Sequence, residues 1–480
     1  MSISGISNYT IPQIQALSTR DIRSLDATEV ASLSSDQLNA MYAEQIAAIG
    51  PDEFKSISAP TVSALSVDQI FNLITDQIAA MGSGQVGALT TAQIQALETS
   101  DIEVLTSAQV VALAGDSVEL GKLTADQVKA LSTAAVSGLT DNQASWLSSS
   151  QLESLSANQV KALKTSQIAA LTSAQVGKLT TSQMQVLSAA QASALTSNTT
   201  ELGELSADQI KSLTTAAIAG LRDVQVNNLT STQTQALTSS QVKALTTAQL
   251  NALTTVQASS LTSAQVSVLS TAPRGALSVG NVTALATASI SGLTTGQVKA
   301  LTTDKLDALS SAQIKALTTA QIATLTAAQV TKLTSDTAEV SVLTTAQIKA
   351  LSNTAVTGLT AGQLGKFDES QLQALTTGQI RALSATQLDA LTTSQIDKLT
   401  TLQVSVLNAS QVAALTTSGN TGEVAKLTTA QINALSASAV TGLTTDQLKV
   451  MDADQLKSLT TAQIKSLTTN QITALTSAQV

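Results

Sequence analysis

The sequence predicts an all-α fold: a repeat solenoid of very short capped helices, one per eight-residue unit, forming an elongated rod or superhelix. Three observations lead to this prediction. A motif of eight residues recurs along the chain, each copy contains a helix-capping signature, and the prolines fall only where a helix would begin.

The repeating unit reads Leu, Thr or Ser, Thr or Ser, any residue, Gln, Ile or Val or Leu, any residue, and Ala, as in residues 343–350. The frame starts at Met1 and continues to the end of the sequence. We therefore expect one continuous octad-repeat solenoid over residues 1–480, with no separate domain. Four units are longer than eight residues and the last unit is cut short: 113–122, 195–204, 333–342, 415–426 and 475–480.

A period of eight excludes the other regular structures. In one continuous helix, eight residues at about 100° each would rotate the Leu stripe by about 80° per unit. A β-strand would place the Leu and the Ile of each unit on opposite faces. Ala and Gln are also depleted in strands. One short helix per unit fits better.

The helix boundaries can be read from one unit. Thr344 is the predicted N-cap and Gln347 the third helical residue, which gives a Thr-x-x-Gln capping box. Leu343 precedes the cap and Ile348 is the fourth helical residue, so the pair forms a hydrophobic staple. The predicted helix ends at Ala350.

The prolines test this assignment independently. Pro51 lies at position 3 of its unit, Pro12 and Pro60 at position 4, and Pro273 at position 5. All four positions belong to the predicted first helical turn, where the backbone N–H has no intrahelical partner.

The longer units follow the same rule. Each contains an Asp or Asn three residues before a Glu, which rebuilds the capping box after two or four extra residues. We therefore predict that these units lengthen a turn and keep the helix. The pairs are Asp116 with Glu119, Asn198 with Glu201, Asp336 with Glu339, and Asn420 with Glu423.

Such short helices do not persist alone in water and must stack on their neighbours. Their buried faces consist of Leu, Ile or Val, and Ala. Gln347 and its equivalents lie inside the buried arc, and we interpret them as capping residues that also bond to neighbouring turns. A ligand-binding ladder of glutamines is the alternative. The sequence leaves open whether two or three octads form one turn.

A second repeat lies above the octad. Some units replace the Gln with a small residue and end in Gly, two units after a long unit or after the unit that contains Pro273. Either these residues accommodate curvature in a duplicated block, or they form a periodic lateral contact for bundling. The pairs are Ala135 with Gly138, Ala217 with Gly220, Ser289 with Gly292, Ala355 with Gly358, and Ala439 with Gly442.

The composition argues against catalysis and against metal or cofactor binding. The chain has no His and no Cys, which excludes His-based acid–base catalysis, Cys nucleophiles, disulfides and nearly all zinc, haem and iron–sulfur sites. EF-hand and phosphate-loop motifs are absent from the sequence. We predict no enzyme, no catalytic residue, no cofactor and no metal. Trp146 replaces the Ala of its unit, and we assign it to local packing.

The predicted partners follow from the same composition. With 33 acids, 24 bases and only six aromatics, the chain is a poor candidate for binding nucleic acid. A small-molecule ligand is not expected, and an ice-binding Thr array is not favoured because one Thr per unit caps a helix. No segment approaches the roughly 20 apolar residues that span a bilayer. The first residues lack the basic start and apolar core of a secretory signal.

The octads, as in residues 343–350, resemble the Leu-Thr-Thr-x-Gln-Ile/Val-x-Ala arrays of large bacterial surface or secreted proteins. The resemblance implies an extracellular or cell-surface location, reached without a cleaved N-terminal signal. Our functional prediction is a non-catalytic structural protein that self-associates, either head to tail into a filament or laterally into bundles. The alternatives are an adhesin stalk or scaffold that binds a peptide or glycan, and a length-setting spacer or secretion ruler.

Overall fold

A computed structural model of the chain describes residues 5–115, 120–195, 201–269, 277–333, 342–415, 423–477 and 479. These residues form α-helices of four to seven residues, joined by short turns and accompanied by 3₁₀-helices, and no β-strand. The chain divides into two compact units, Met1–Leu245 and Thr246–Val480, each of which is described by itself. The predicted all-α repeat solenoid is confirmed. The prediction of one continuous solenoid over 1–480 stays a prediction.

The first unit contains 27 described α-helices and two described 3₁₀-helices. The 3₁₀-helices are η1 (Ile6–Asn8) and η2 (Glu201–Glu204). The α-helices are α1 (Ile11–Gln15), α2 (Thr19–Ile22), α3 (Ala27–Ala31), α4 (Ser35–Ala40), α5 (Ala43–Ala47), α6 (Pro51–Phe54), α7 (Ala59–Ser63), α8 (Val67–Phe71), α9 (Thr75–Ala80), α10 (Ser83–Val86), α11 (Thr91–Ala96), α12 (Thr99–Glu103), α13 (Ser107–Leu113), α14 (Ala125–Ala130), α15 (Thr133–Gly138), α16 (Asp141–Trp146), α17 (Ser149–Ser154), α18 (Ala157–Ala162), α19 (Thr165–Ala169), α20 (Ser173–Val176), α21 (Thr181–Met184), α22 (Ala189–Ala194), α23 (Ala207–Ser212), α24 (Thr215–Gly220), α25 (Asp223–Asn227), α26 (Ser231–Ala236) and α27 (Ser239–Ala244).

The second unit contains 25 described α-helices and the described 3₁₀-helix η3 (Glu423–Lys426). The α-helices are α28 (Thr247–Ala252), α29 (Thr255–Ser260), α30 (Ser263–Ser267), α31 (Val279–Ala284), α32 (Thr287–Ser291), α33 (Thr295–Ala300), α34 (Thr303–Asp307), α35 (Ser311–Ala316), α36 (Thr319–Ile322), α37 (Ala327–Leu333), α38 (Thr345–Ala350), α39 (Asn353–Val356), α40 (Ala361–Leu364), α41 (Glu369–Ala374), α42 (Thr377–Ala382), α43 (Ala385–Asp389), α44 (Thr393–Ile396), α45 (Thr401–Val404), α46 (Ala409–Ala413), α47 (Thr429–Ala434), α48 (Ala437–Val440), α49 (Thr445–Val450), α50 (Ala453–Lys457), α51 (Thr461–Ser466) and α52 (Thr469–Thr473).

The predicted capping box determines where a helix begins. At the start of α38, the backbone N–H of Gln347 donates to the Thr344 hydroxyl at 3.2 Å. In return, the Gln347 amide oxygen accepts from the backbone N–H of Thr344 at 2.9 Å. The helix ends at Ala350, and Leu351 returns to an extended backbone with φ −57° and ψ 134°. Both predicted boundaries of this helix are confirmed.

The prolines occupy the first helical turn, as predicted. Pro51 is the first residue of α6, while Pro12 and Pro60 are the second residues of α1 and α7. Pro273 lies outside the described residues. At these positions, a missing backbone N–H removes no intrahelical hydrogen bond.

Three octads form one turn of the solenoid, which settles a point that the sequence left open. In the first unit, α3 packs on α6, α6 on α9 and α9 on α12, and these helices begin 24 residues apart. In the second unit, α32 packs on α35 and α38 on α41 with the same offset. Each helix therefore covers the equivalent helix of the preceding turn.

The core of each unit is built from the first and sixth residues of the octad. Leu89 is 2% exposed and Ile94 is fully buried, and most of their equivalents along the described chain are also buried. Ile464 and Ile472, in the last described octads, are exceptions and are each 51% exposed. Burying such a side chain contributes about 1.5–3 kcal/mol. Stacking on neighbouring turns is thus what stabilises helices too short to persist alone.

The long units modify the predicted pattern. The Asp and Asn residues of their predicted capping boxes lie outside the described residues. So do Glu119 and Glu339, as well as the side chains of Glu201 and Glu423. In units 195–204 and 415–426 the described helices, η2 and η3, are 3₁₀ rather than α. The prediction that these units keep the helix is corrected to that extent. Short pieces of 3₁₀-helix of this kind are common as connectors between α-helices.

Candidate functional site

The most regular polar feature of the molecule is the glutamine at the fifth place of the octad. Gln183 at α21 is 1% exposed, and its amide oxygen accepts from the backbone N–H of Thr180 at 2.8 Å. Its amide nitrogen donates to the carbonyls of Leu152 and Leu155 in the preceding turn, both at 2.8 Å. One side chain therefore starts its own helix and also binds the end of a helix one turn earlier.

The same bridge recurs in the second unit. The amide nitrogen of Gln379 donates to the carbonyls of Ile348 at 2.8 Å and Leu351 at 2.7 Å, while its oxygen accepts from Thr376. The last carbonyls of a helix lack the usual partner four residues later. The Ile348 carbonyl accepts from the backbone N–H of Leu351 at 3.2 Å as well as from Gln379. The interpretation of these glutamines as capping residues that bond to neighbouring turns is confirmed. We call this series of bridges the glutamine ladder.

The ladder keeps its register across the long units. In an uninterrupted stretch, the acceptor carbonyls lie 31 and 28 residues before the glutamine, as for Gln183. Across the ten-residue unit 113–122, Gln127 reaches back 33 and 30 residues. Across the twelve-residue unit 415–426, Gln431 reaches back 35 and 32. The two or four extra residues of these units therefore do not shift the register of the ladder.

Five units have Ala or Ser in place of the glutamine and end in a glycine that approaches another helix of the same chain. A Cβ added at Gly220 would lie 2.5–2.6 Å from the carbonyl oxygen, Cα and Cβ of Ala189 in α22. The other four glycines meet the equivalent residue, which is the first of the helix that precedes a long unit or the Pro273 unit. These contacts are Gly138 with Ser107, Gly292 with Ser263, Gly358 with Ala327, and Gly442 with Ala409.

The close approach accounts for the second repeat seen in the sequence. Real Cβ atoms essentially never come so near to backbone atoms, so only glycine fits at these five places. The small residue that replaces the glutamine lies on the same short helix, as Ala217 does on α24. The glycines serve packing within each unit, which favours the duplicated-block interpretation over a lateral contact.

Some units have a charged residue in place of the glutamine: Asp21, Glu29, Glu53, Asp101 and Lys305. Asp101 takes the place of a glutamine at α12 and is 2% exposed, and one of its oxygens accepts from the backbone N–H of Glu98 at 3.0 Å. Burial raises the pKa of the Asp101 carboxyl, although the Glu98 hydrogen bond acts in the opposite direction. Lys305 takes the same place at α34, where partial burial lowers the pKa of its amine.

Two shallow grooves lie at the corners of the first unit. The larger, of about 610 Å³, is bordered by α12, by the corner that joins α14 to α15, and by the start of α18. Its ionisable lining residues are Glu103, Asp126 and Lys129. The smaller, of about 270 Å³, lies where α9 leads into α10 and is lined by Asp52 and Lys55. Neither groove pairs a nucleophile with a base.

Within the part of the chain that the structure describes, no group of three or more His, Cys, Asp or Glu side chains could hold a metal ion. The same residues contain no helix of sufficient length and apolar character to cross a bilayer. Trp146 is the last residue of α16 and is half-buried, as a packing residue would be.

Comparison with known families identifies the repeat. Seven segments match the ALTTAQ repeat family: 14–51, 62–91, 78–114, 147–181, 303–335, 365–401 and 448–480. Together they cover just under half of the chain and occur in both compact units. No curated protein matches the chain. The resemblance to bacterial surface and secreted proteins stays a prediction. What the seven matches confirm is a repeat array in which each matched segment is similar to the ALTTAQ repeat.

Proposed function

We propose that the chain is a non-catalytic structural repeat protein whose architecture is its function. The observation that carries this proposal is the glutamine ladder. The amide oxygen of Gln183 is used by its own helix and its nitrogen by the preceding turn, and Gln379 repeats the arrangement in the second unit. A ladder that bound a ligand would instead present these atoms to solvent.

The composition supports the non-catalytic part of the proposal. The chain has neither His nor Cys, the side chains that most often supply general acid–base or thiolate chemistry. The groove beside Lys129 contains Ser and Thr hydroxyls, but they belong to the repeat and recur along the chain. An active site needs a singular arrangement of groups, and the described grooves do not provide one.

The proposed location is the bacterial cell surface or the extracellular space, reached without a cleaved N-terminal signal. The resemblance of the octads to surface and secreted arrays supports this. Protease treatment of intact producing cells tests it, with lysed cells as the control. Digestion of the protein on intact cells is expected, whereas digestion only after lysis would contradict the proposed location.

The proposed partner is another copy of the chain, added head to tail in a filament or side by side in a bundle. An uninterrupted repeat favours such an open, heterologous contact. Sedimentation velocity over a wide range of concentrations tests it, and the weight-average sedimentation coefficient is expected to rise with concentration. A monomer at every concentration would refute self-association.

The structural role itself is tested in the producing cell by in-frame deletion of residues 375–398, which form three octads and hence one turn. The phenotype should change in proportion to the number of turns removed. The matched controls are single substitutions at exposed residues, such as Gln185→Ala and Lys398→Ala, which should leave the phenotype unchanged. An exposed substitution that abolishes function while the fold persists would indicate a chemical or binding site instead.

A further inference from the structure

The net charge of the protein is concentrated at one end of the sequence. Residues 1–104 contain 12 of the 33 acids but only 3 of the 24 bases. Residues 105–480 contain 21 acids and 21 bases. The first 104 residues therefore carry the whole net charge of −9. Asymmetry of this kind indicates a region with its own electrostatic partner.

The fold gathers most of these acids on one side of the first unit. Because three octads form a turn, α3, α6, α9 and α12 stack directly on one another. The octads that contain these helices hold eight acids and a single base, Lys55. Asp101 is buried and the others are exposed or half-buried. The eight are Asp26, Glu29, Asp52, Glu53, Asp76, Glu98, Asp101 and Glu103.

Helix capping alone does not explain this side of the molecule. Acids in the first turn complement the helix dipole, and in several helices elsewhere a Lys in the last turn balances them. In α14, for example, Asp126 begins the helix and Lys129 ends it. Of α3, α6, α9 and α12, only α6 has a base at its end, Lys55 at the C-cap. The acids of α3, α9 and α12 have no such base on their own helix.

Large apolar side chains are exposed beside these acids. Phe71, the last residue of α8, is 51% exposed, and Ile74, three residues later at the N-cap of α9, is 44% exposed. Val104, at the end of α12, is 39% exposed. Ile74 occupies a cap position where a Ser or Thr would stabilise the helix better. Neither the repeat nor the core explains an exposed Phe and an exposed Ile at one corner.

We propose that the exposed residues of α3, α6, α9 and α12, together with Phe71 and Ile74, form a docking surface for a cationic polypeptide segment with large apolar side chains. We call it the acidic face. Its charge selects the partner, because only a cationic segment complements it. The exposed side chains of Phe71 and Ile74 supply an apolar contact area from which a bound partner excludes water, as at the centre of most protein interfaces. This inference does not depend on the structural role proposed above.

The stacking also sets the spacing that such a partner needs. Packed helices lie about 8–10 Å apart, so equivalent acids such as Asp52 and Asp76 recur at about that interval. A chain in the polyproline II conformation advances about 3.1 Å per residue with three residues per turn, so every third side chain lies on the same side. A cation at every third residue of such a partner therefore meets one turn of the solenoid after another.

The probe that tests the acidic face is a fluorescein-labelled peptide in which Lys-Ser-Leu is repeated four times. Its affinity for the full chain is measured by fluorescence anisotropy at low salt. The quadruple variant Asp52→Asn, Asp76→Asn, Glu98→Gln, Glu103→Gln should raise the dissociation constant about tenfold, since exposed ion pairs are individually weak and these four act together. The double variant Phe71→Ser, Ile74→Thr should raise it about fivefold.

A matched control removes four exposed first-turn acids that lie outside residues 1–104 and do not border the acidic face: Asp141→Asn, Asp208→Asn, Asp223→Asn and Asp304→Asn. This control should change the dissociation constant less than about twofold, because net charge alone attracts cations only weakly at a distance. Hydrogen exchange of α6, α9 and α12 verifies that each variant keeps the fold. Equal weakening by the two quadruple variants would overturn the proposal. Failure of the unsubstituted chain to prefer the Lys peptide over its Glu counterpart would do the same.

Discussion

Two neighbouring helices of one turn in the first unit are joined to the preceding turn in different ways. At α23, Gln209 donates to the carbonyls of Gly177 at 3.1 Å and Leu179 at 2.6 Å. At α24, the next helix, Ala217 replaces the glutamine and Gly220 comes directly against Ala189. An amide bridge holds one pair of turns apart at a fixed distance, whereas backbone packing brings the other into direct contact.

The difference shows that equivalent helices of successive turns are joined in two ways. In one, which we call the bridged joint, a glutamine side chain connects the two turns. In the other, which we call the direct joint, a glycine packs against the backbone of the neighbouring helix. The bridged joint satisfies three backbone groups with one side chain, so it tolerates any residue at the exposed positions.

The direct joint lacks the amide bridge and depends on the absence of a Cβ at one place. In the unit of Gly292, the Ser289 hydroxyl still donates to the Leu261 carbonyl of the preceding turn at 2.5 Å. In all five cases the direct joint faces the helix before a long unit or before the Pro273 unit. Substitutions at the glutamine and at the glycine should therefore affect stability in different ways.

The largest effect is expected from Gln183→Glu, which keeps the shape of the bridge but replaces its donor nitrogen with a carboxylate oxygen. That oxygen would face the carbonyls of Leu152 and Leu155 in a buried site. We expect a loss of about 3–4 kcal/mol in local stability. The new carboxylate is buried without a donor from the preceding turn, and the two carbonyls lose the amide nitrogen that donated to them. Native-state hydrogen exchange of α21 and its neighbours measures the loss, since unfolding of a repeat array is local.

Gln185→Glu is the matched control for that prediction. Gln185 lies two residues further along at the end of α21 and is exposed. The substitution Gln185→Glu should change the local unfolding free energy measured by hydrogen exchange by less than about 0.5 kcal/mol, as substitutions at exposed positions usually do. Equal effects at the two positions would show that the ladder is not what joins the turns.

The next largest effect is expected from Gly220→Ala, which adds a methyl group where the backbone of Ala189 leaves no room. Overpacking of this kind costs about 2 kcal/mol. The same change at Gly84, where an added Cβ meets nothing within 4 Å, should instead stabilise by about 0.5 kcal/mol. Thermal unfolding of both variants compares the joints. If Gly220→Ala were tolerated as well as Gly84→Ala, close packing would not be the reason for the missing bridge.

A smaller effect, of opposite sign, is expected from Asp101→Gln, which restores a bridge at α12. We expect a gain of about 1–2 kcal/mol at neutral pH from the added hydrogen bonds. Because burial raises the pKa of the Asp101 carboxyl, the folded chain holds this proton more tightly than the unfolded chain. The penalty of the aspartate is therefore absent below about pH 4 and grows as the pH rises through that value.

Urea unfolding of the unsubstituted chain and of Asp101→Gln between acidic and neutral pH measures this difference. The difference in stability should be smallest at the acidic end, where only the added hydrogen bonds remain, and should grow toward neutrality. Asp101→Asn is the control, because it removes the charge without reaching the preceding turn. Its difference from the unsubstituted chain should vary with pH in the same way but should vanish at the acidic end. A constant difference at all pH values would mean that the Asp101 carboxyl does not titrate as expected.

Much of this fold could be predicted from local sequence. The capping box at Thr344 and Gln347 and the prolines at the helix starts depend on residues within one unit, so their physics is local. Three octads per turn could not be predicted, because Gln183 bonds to residues about 30 places earlier and no local pattern encodes that distance.

The units in which a small residue replaces the glutamine show the same limit of local sequence patterns more clearly. The pairing of Ala217 with Gly220 was visible in the sequence, but its meaning depends on Ala189, which lies a turn away. The acidic face was missed although the counts were available. Its signal, a net charge confined to residues 1–104, becomes informative only when a 24-residue offset places the acids on one side.

The smallest expected effect separates the two functions of the bridge itself. On α21 the Thr180 hydroxyl accepts from the backbone N–H of Gln183 at 3.3 Å, whereas Thr181, the next residue, is exposed. Thr180→Ala removes the cap but leaves the bonds from Gln183 to the preceding turn, so we expect a loss of about 1 kcal/mol. Thr181→Ala is the control, and it should be neutral or slightly stabilising because Ala is the better helix former. Hydrogen exchange should show the loss at α21 alone, with the preceding turn unchanged. If protection of Leu152 and Leu155 fell as far as it does in Gln183→Glu, capping and bridging would be a single cooperative interaction rather than two separable ones.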